Sequence, residues 1–374
     1  MQAVRKLKRA EGLTVCDIPI PEPGPHDVLV QVEATSVCGT DLHIYNWDAW
    51  SSGRLKPPLT VGHEFCGTVA TMGKMVEGVA EGDYVSAESH VTCGHCFQCQ
   101  TGQAHMCPNT RILGVDREGC FAEYVNVPDK VIWKNDRSKL PPEIATLQEP
   151  FGNAVFATLA HDLAGQTLCV FGCGPIGLFS VGIARASGAA AVFASDMNPF
   201  RLELARTMGA RGVHNPAADG PARDWILQNN AGLGVDIVLE MSGAPAAIDS
   251  AFQVVRNGGR VTLFGIPSRP VEIDIAEKMI FKNLTVLALN GRRIFDTWYK
   301  TRWLLESGVV DLRPLITKEL PLAKIEDAIG MLREGNACKI VLRPEHKTPL
   351  RRSDEAAKPA TTAASNVEGQ IIHP

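Results

Sequence analysis

Gly172-Cys173-Gly174-Pro175-Ile176-Gly177 is the stretch on which the fold turns. It follows an apolar run, 166–171, that reads as a buried strand, and it opens 175–187, which reads as a helix. In that strand–turn–helix context a G-x-G-x-x-G pattern binds phosphate. Gly172 permits the tight turn, Gly174 lets backbone approach a pyrophosphate, and Gly177 lets the helix pack on the strand. The helix N-terminus then offers unpaired N–H groups and the positive end of its dipole. Asp196 follows Gly177 by nineteen residues, at the end of the next expected strand. A carboxylate there accepts hydrogen bonds from ribose hydroxyls and repels a 2′-phosphate, which favours NAD over NADP. Arg201 either meets a phosphate or stacks beside the adenosine, and Asp196 has an alternative reading as a helix cap before Asn198-Pro199.

Outward from that turn the chain alternates between strands (191–195, 236–239, 260–264) and helices (201–208, 222–229, 246–255). Such alternation predicts right-handed βαβ units and a parallel sheet covered on both faces. Residues 1–135 differ: short β-branched runs at 28–32, 82–85 and 120–125 are broken by Gly and Pro. A single helical stretch is expected over 141–161. Beyond 291 come a helix (295–306), a short strand near Leu315, a helix (323–333) and a strand (339–342), none with a dinucleotide signal. The expected organisation is therefore a catalytic domain of 1–150 and 291–343, a dinucleotide domain of 151–290, and a disordered tail, 344–374, rich in Ala, Thr, Pro and charge.

At 374 residues, 45% hydrophobic and 21% charged, the chain has the length and composition of a two-domain soluble protein. A net charge of −4 gives no footprint for nucleic acid or an anionic membrane, and no apolar stretch is long enough to cross a bilayer. Eleven cysteines in a chain of this length, with Glu11-Gly12 where a signal peptide needs an apolar run, point to reduced cytoplasm. Cys16, Cys66, Cys120, Cys169, Cys173 and Cys338 read as small buried hydrophobes.

Four of the other five form a lobe. Cys93-Gly-His-Cys96-Phe-Gln-Cys99, then seven residues and Cys107, has the spacing of a closed tetrahedral zinc site with no open position for substrate. An iron–sulfur cluster is the rival reading, although the ferredoxin run places three residues, not seven, before its last cysteine. A second donor set has a different character: Cys38-Gly39-Thr40-Asp41-Leu42-His43 and Gly62-His63-Glu64 offer thiolate, imidazole and carboxylate from separate loops. Three mixed ligands and an open fourth position make a catalytic zinc. Cys38, His63 and Glu64 are the expected ligands. Glu149, at the join between the domains, is the nearby carboxylate that tunes the site, and the opposite assignment of the two glutamates stays open.

These residues carry a resemblance. Over roughly residues 1 to 343 the chain resembles the zinc-dependent medium-chain alcohol and polyol dehydrogenases. The resemblance rests on the motifs above together with Ile44-Tyr45-Asn46-Trp47-Asp48, Glu149-Pro150-Phe151-Gly152-Asn153-Ala154, Leu239-Glu240-Met241-Ser242-Gly243-Ala244 and Phe295-Asp296-Thr297-Trp298-Tyr299-Lys300. It implies an α/β architecture: a GroES-like β-rich catalytic domain, with its zinc lobe at 90–110, plus a doubly wound parallel-sheet Rossmann domain. It also implies NAD, two zinc ions per chain (one catalytic, one structural) and a homotetramer.

The resemblance further implies that Thr40 and His43 relay a proton by way of the nicotinamide ribose. Ile176, Asp196 and Arg201 would touch NAD, and Phe264, Gly265, Ile266, Leu289 and Asn290 would line its nicotinamide end. Asn290 replaces the aromatic residue usual there, and Cys66 is unusual for the family. The longer strings are similar to the branch that oxidises L-threonine at its 3-hydroxyl to 2-amino-3-oxobutanoate. Such a substrate needs a cation for its carboxylate, and Arg292 or Arg293 stands in position. Oxidation of another secondary alcohol, such as a polyol or diol, is the alternative. A non-catalytic dinucleotide-binding protein is the other, and the intact set Cys38, Thr40, His43, His63 and Glu64 argues against it.

Overall fold

The computed structural model describes residues 1–346, so most of the tail expected at 344–374 lies outside the described residues. The run Thr167–Phe171 forms the centre of a six-stranded sheet in the order Gly212–His214, Ala191–Ser195, Thr167–Phe171, Val235–Glu240, Val255–Leu263, Thr285–Ala288. Every pairing in it is parallel. Because each crossover passes over a face, the central strands are buried on both sides, which is why 167–171 reads as unbroken apolar sequence. Strand order reverses between Thr167–Phe171 and Val235–Glu240, and the crevice beyond their C-terminal ends is where such sheets bind ligands. The helix Pro175–Ala186 begins there, its Pro at the first position supplying a preset φ where no N–H partner is needed.

The rest of the described chain is built around a seven-stranded sheet in which Asp27–Ser36 pairs with Phe65–Met72, Tyr124–Pro128 and Lys339–Arg343. A three-stranded sheet, Thr14–Asp17, Gln2–Lys6 and Leu59–Thr60, lies beside it. Lys339–Arg343 and its parallel neighbour Ile316–Pro321 come from the end of the chain, so the polypeptide returns to this sheet after completing the parallel one. The contact persists to His346, whose Nε2 lies 2.9 Å from the Val32 carbonyl oxygen. One apolar cluster fills this half and another covers one face of the parallel sheet. A third runs from the sheet's other face through Phe151 and Val155 to Tyr84 and Val341, joining the halves.

Several elements differ from the sequence expectation. The helix expected over 141–161 is two, Pro142–Ala145 and Gln148–Thr158. Pro150 is the cause: a continuous helix would need its N–H to reach Thr146, and proline has none, whereas in the first turn of a new helix no N–H is required. The region near Leu315 is a turn, Arg313–Leu315, with the strand beginning at Ile316. The 120–125 strand begins only at Tyr124 and runs to Pro128.

Gly177 is fixed by packing: a Cβ there would lie 1.9 Å from the Gly172 carbonyl oxygen. Gly177→Ala should therefore destabilise the fold by about 1–3 kcal/mol, the usual cost of overpacking. Thermal denaturation of the variant checks this, and an unchanged midpoint would contradict the close approach.

Candidate active site and metal centres

Val37 follows the strand Asp27–Ser36, and Cys38 then caps the helix Gly39–Asn46, its own N–H donating to Asp41 Oδ2 at 2.9 Å. His63 and Glu64 occupy the link between Leu59–Thr60 and Phe65–Met72. Gly62, with φ +89°, makes that link possible, since a Cβ would fall 2.1 Å from the Phe121 ring. The ligand atoms of Cys38, His63 and Glu64 thereby lie within 4.8 Å of one another. His63 and Glu64 are buried, and His63 Nδ1, Glu64 Oε1 and Asp41 Oδ1 have no hydrogen-bond partner. Orphaned buried polar atoms of this kind are costly, and a bound cation would remove that cost for the ligand set.

Electrostatics point the same way. Burial opposes a charge on His63, yet Cys38, through its charge interaction and hydrogen bond, and Asp41 outweigh it and raise the imidazole to about 10. Burial pushes Asp41 up to about 6, against the pull of His63. A proton on His63 thus stands where thiolate and carboxylates call for a cation. Thiolate, imidazole and carboxylate suit zinc, and metal binding here would release that proton.

Glu64 and Glu149 are each held by a buried cation, pairings that the sequence reading missed. Glu64 Oε2 accepts from Ser36 and from Lys339 Nζ at 2.5 Å, while Lys339 Nζ also donates to the Val37 carbonyl at 2.9 Å. Glu149 Oε1 accepts from Ser89 Oγ at 2.5 Å and lies 2.6 Å from Arg292 Nη2. Arg292 Nε donates to Glu88 Oε2 at 2.7 Å and Nη1 to Asn153 Oδ1 at 3.1 Å; Trp298 Nε1 reaches the same Glu88 oxygen at 2.8 Å. Arg292 is 2% exposed and fully engaged, so it is not the free cation for a substrate carboxylate. Arg293 is exposed. Glu149 groups with Glu88 and His90, not with Cys38, although its charge reaches His63. One signal was available: Lys339 opens the strand Lys339–Arg343 directly before its apolar run, and a lysine buried there needs an acid.

Thr40 and His43 share the helix Gly39–Asn46, three residues apart and hence on one side of it. Thr40 Oγ1 lies 3.9 Å from the Cys38 sulfur. His43 is solvent-facing, with Nδ1 held by Asp48 at 2.5 Å.

In the cysteine lobe the sulfurs of Cys93, Cys96, Cys99 and Cys107 come together, three of the pairs at 4.0, 3.8 and 3.6 Å. Those separations are too long for a disulfide, about 2.05 Å. They match the edge of a tetrahedron with metal–sulfur bonds of about 2.3 Å, which is about 3.8 Å. Sulfurs on the separate irons of a cluster would stand farther apart, so the lobe fits a single ion. The two-stranded pairing of His90–Val91 with Arg111–Ile112 closes its base.

At the dinucleotide crevice, Gly172 (φ +90°) presses against Ser242, while a Cβ on Gly174 would meet nothing within 4 Å. The open space beside Gly174 is where backbone can meet a pyrophosphate. Asp196 accepts from the Cys173 N–H at 2.7 Å and the Asn198 N–H at 2.8 Å, tying the end of its strand to the glycine turn. Ile176 opens the helix Pro175–Ala186, and Arg201 lies on Pro199–Thr207 close enough for its charge to act on Cys173. Glu240, another residue the sequence reading gave no role, accepts from the N–H groups of Ser242 and Gly243 at 2.9 and 3.1 Å and shapes the opposite lip. Phe264 and Gly265 donate to its carbonyl. Ile266 is 83% exposed. The Leu289 N–H bonds the Leu263 carbonyl at 3.0 Å, beside an exposed Asn290.

Comparison with known proteins agrees with this geometry. Residues 24–137 match the alcohol dehydrogenase GroES-like domain, and 175–307 match the zinc-binding dehydrogenase domain. The chain is 47% identical to the L-threonine 3-dehydrogenase of Symbiobacterium thermophilum, covering 93% of this chain and 99% of the relative. It is 45% identical to that of Bacillus subtilis, with 92% and 99% covered. The solved structure of 2R,3R-butanediol dehydrogenase from Bacillus subtilis superposes with a TM-score of 0.83 at 29% identity, covering 92% of this chain and 99% of that one. Among the described residues no helix is long and apolar enough to cross a membrane.

Burial works against charge on Glu88, but Arg292 and then His90 hold its carboxyl well below the usual range. A depressed carboxylate adds stability that is present above its unfolded value, about 4.3, and is lost as pH falls through the folded one. Glu88→Gln should cost about 3–5 kcal/mol at neutral pH, as expected for a broken buried pair. The gap from the parent protein should stay level from about pH 8 to 5 and narrow below about 4. Denaturant unfolding across pH measures it; a gap that widened in acid would contradict the pairing.

Proposed function

Because the chain belongs to the zinc-binding dehydrogenase family, we propose that it oxidises L-threonine at the 3-hydroxyl with NAD⁺, giving 2-amino-3-oxobutanoate. The observation that carries the chemistry is the buried Cys38–His63–Glu64 cluster. The substrate rests on identity of 44–47% with L-threonine 3-dehydrogenases over nearly the whole chain.

Zinc held by Cys38, His63 and Glu64 supplies the acidity that lets an alcohol hydroxyl ionise near neutral pH, and bound NAD⁺ supplies the hydride acceptor. The remaining work belongs to the chain. Thr40, two residues from Cys38, takes the hydroxyl proton, and His43 delivers it to solvent, its ring steadied by Asp48. Lys339 and Ser36 hold one oxygen of Glu64 and leave the other for the ligand set. Arg292 fixes Glu149 beside the site, where its charge tunes the metal and the proton path. Arg293 is then the cation for the threonine carboxylate. Gly172, Gly174 and Gly177 carry the pyrophosphate, and Asp196 the adenosine ribose. Ile176 and Arg201 flank the adenosine, and Phe264 to Ile266 with Leu289-Asn290 line the nicotinamide end. The lobe takes a second, structural zinc on Cys93, Cys96, Cys99 and Cys107. A homotetramer in the cytoplasm, and a division into 1–150 with 291–343, 151–290 and a tail, complete the reading.

A second reading, oxidation of a diol or polyol, is favoured by the likeness to butanediol dehydrogenase. NAD⁺ reduction with L-threonine, 2,3-butanediol and sorbitol separates the two: threonine should lead, and turnover of a diol or polyol without threonine would overturn the substrate. Cys38→Ser should retain NAD⁺ binding and lose turnover by about 10³-fold or more, the scale of losing electrostatic stabilisation at the reacting oxygen. Undiminished turnover would refute catalysis at that cluster.

A further inference from the structure

A cavity of about 570 Å³ opens between the three-stranded sheet and the segment 117–126, and none of its lining residues belongs to the active site or dinucleotide crevice. Arg5, Arg111 and Arg117 line it against a single carboxylate, Glu118. That carboxylate is already taken: Oε1 accepts from Arg5 Nη2 at 2.8 Å and Oε2 from the Thr60 N–H at 2.7 Å. In a chain of net charge −4 this is a local excess of positive charge.

Three polar groups around the cavity lack partners. The half-buried Arg117 guanidinium makes no hydrogen bond or ion pair among the described residues. Burial, with the like charge of Arg111 and against Asp27, holds it below its ordinary value. Arg5 Nε is buried without an acceptor. Asn126 donates through Nδ2 to Asp27 Oδ2 at 3.2 Å, which fixes the amide and leaves its buried Oδ1 without a donor. The orphans are thus donors of positive charge and one neutral acceptor, beside an apolar wall of Ile18 and Pro19. Guanidinium forks match phosphate oxygens in pairs, and the volume is that of a small-molecule site rather than of a lone ion.

We propose that this cavity binds a small organic phosphate, with Arg117 and Arg111 on the phosphate and the wall of Ile18 and Pro19 against its carbon skeleton. Thr60 and Gly119 line it too, and Gly119 packs on the Gly62 carbonyl just before His63, so an occupant touches the segment that carries the active-site histidine.

Calorimetric titration tests this with ribose 5-phosphate, inorganic phosphate and ribose, at saturating NAD⁺ so that the dinucleotide crevice is filled. Ribose 5-phosphate should bind, inorganic phosphate about tenfold or more weaker, and ribose not detectably. Arg117→Ala should weaken ribose 5-phosphate about tenfold or more while leaving threonine oxidation without the phosphate and the thermal midpoint unchanged. The exposed Arg111→Ala should weaken it as well, and stands in if Arg117→Ala fails to fold. No binding of ribose 5-phosphate, equal binding to parent and both variants, or inorganic phosphate binding as tightly as the sugar phosphate would overturn the assignment.

Discussion

The guanidinium of Arg292, buried between Glu88 and Glu149, is the contact on which the arrangement of the molecule depends. Arg292 follows the last strand of the parallel sheet, Glu88 follows a strand of the seven-stranded sheet, and Glu149 opens the helix lying between them. Three stretches distant in sequence are therefore fixed by one planar group that can satisfy two carboxylates at once. Such a pair is not a cheap source of stability, since taking charges out of water offsets most of their attraction. What it provides is position: Glu149 is fixed within electrostatic range of His63 by a planar partner that Glu88 holds in turn.

The same logic repeats around the ligand cluster. Glu64 is anchored by Lys339, which belongs to the final strand, so the C-terminal return of the chain to the first sheet delivers a cation as well as a pairing partner. The centre brings the acidic groups of Cys38, Asp41, Glu64 and Glu149 together, faced by Lys339, Arg292 and the His63 proton. Replacing that proton with a divalent cation leaves the surroundings in better balance, which fits a site assembled for metal.

Much of this was legible in the sequence, and the reasons are local. The glycine turn needs its three glycines at fixed offsets whatever surrounds them, and Thr167–Phe171 announces a doubly covered strand by composition alone. Cysteine spacing fixed the lobe because the ligands are contiguous. The partners of the carboxylates were not legible. Arg292 and Glu88 lie 204 positions apart, and Lys339 and Glu64 lie 275 apart. Arg292 was read as a free cation for substrate because sequence shows a charge but not its burial. The break before Pro150 could have been anticipated, since proline within a helical stretch marks a probable new first turn.

The central claim is that the chain holds two metal sites of different kinds, one that reacts and one that braces. Elemental analysis of purified parent protein and Cys38→Ser, after dialysis against metal-free buffer, tests it most directly. The account predicts about two zinc ions per parent chain and about one per chain in the variant, with the lobe still loaded. Two ions retained in Cys38→Ser would contradict it, as would a single ion in the parent protein bound at the lobe alone.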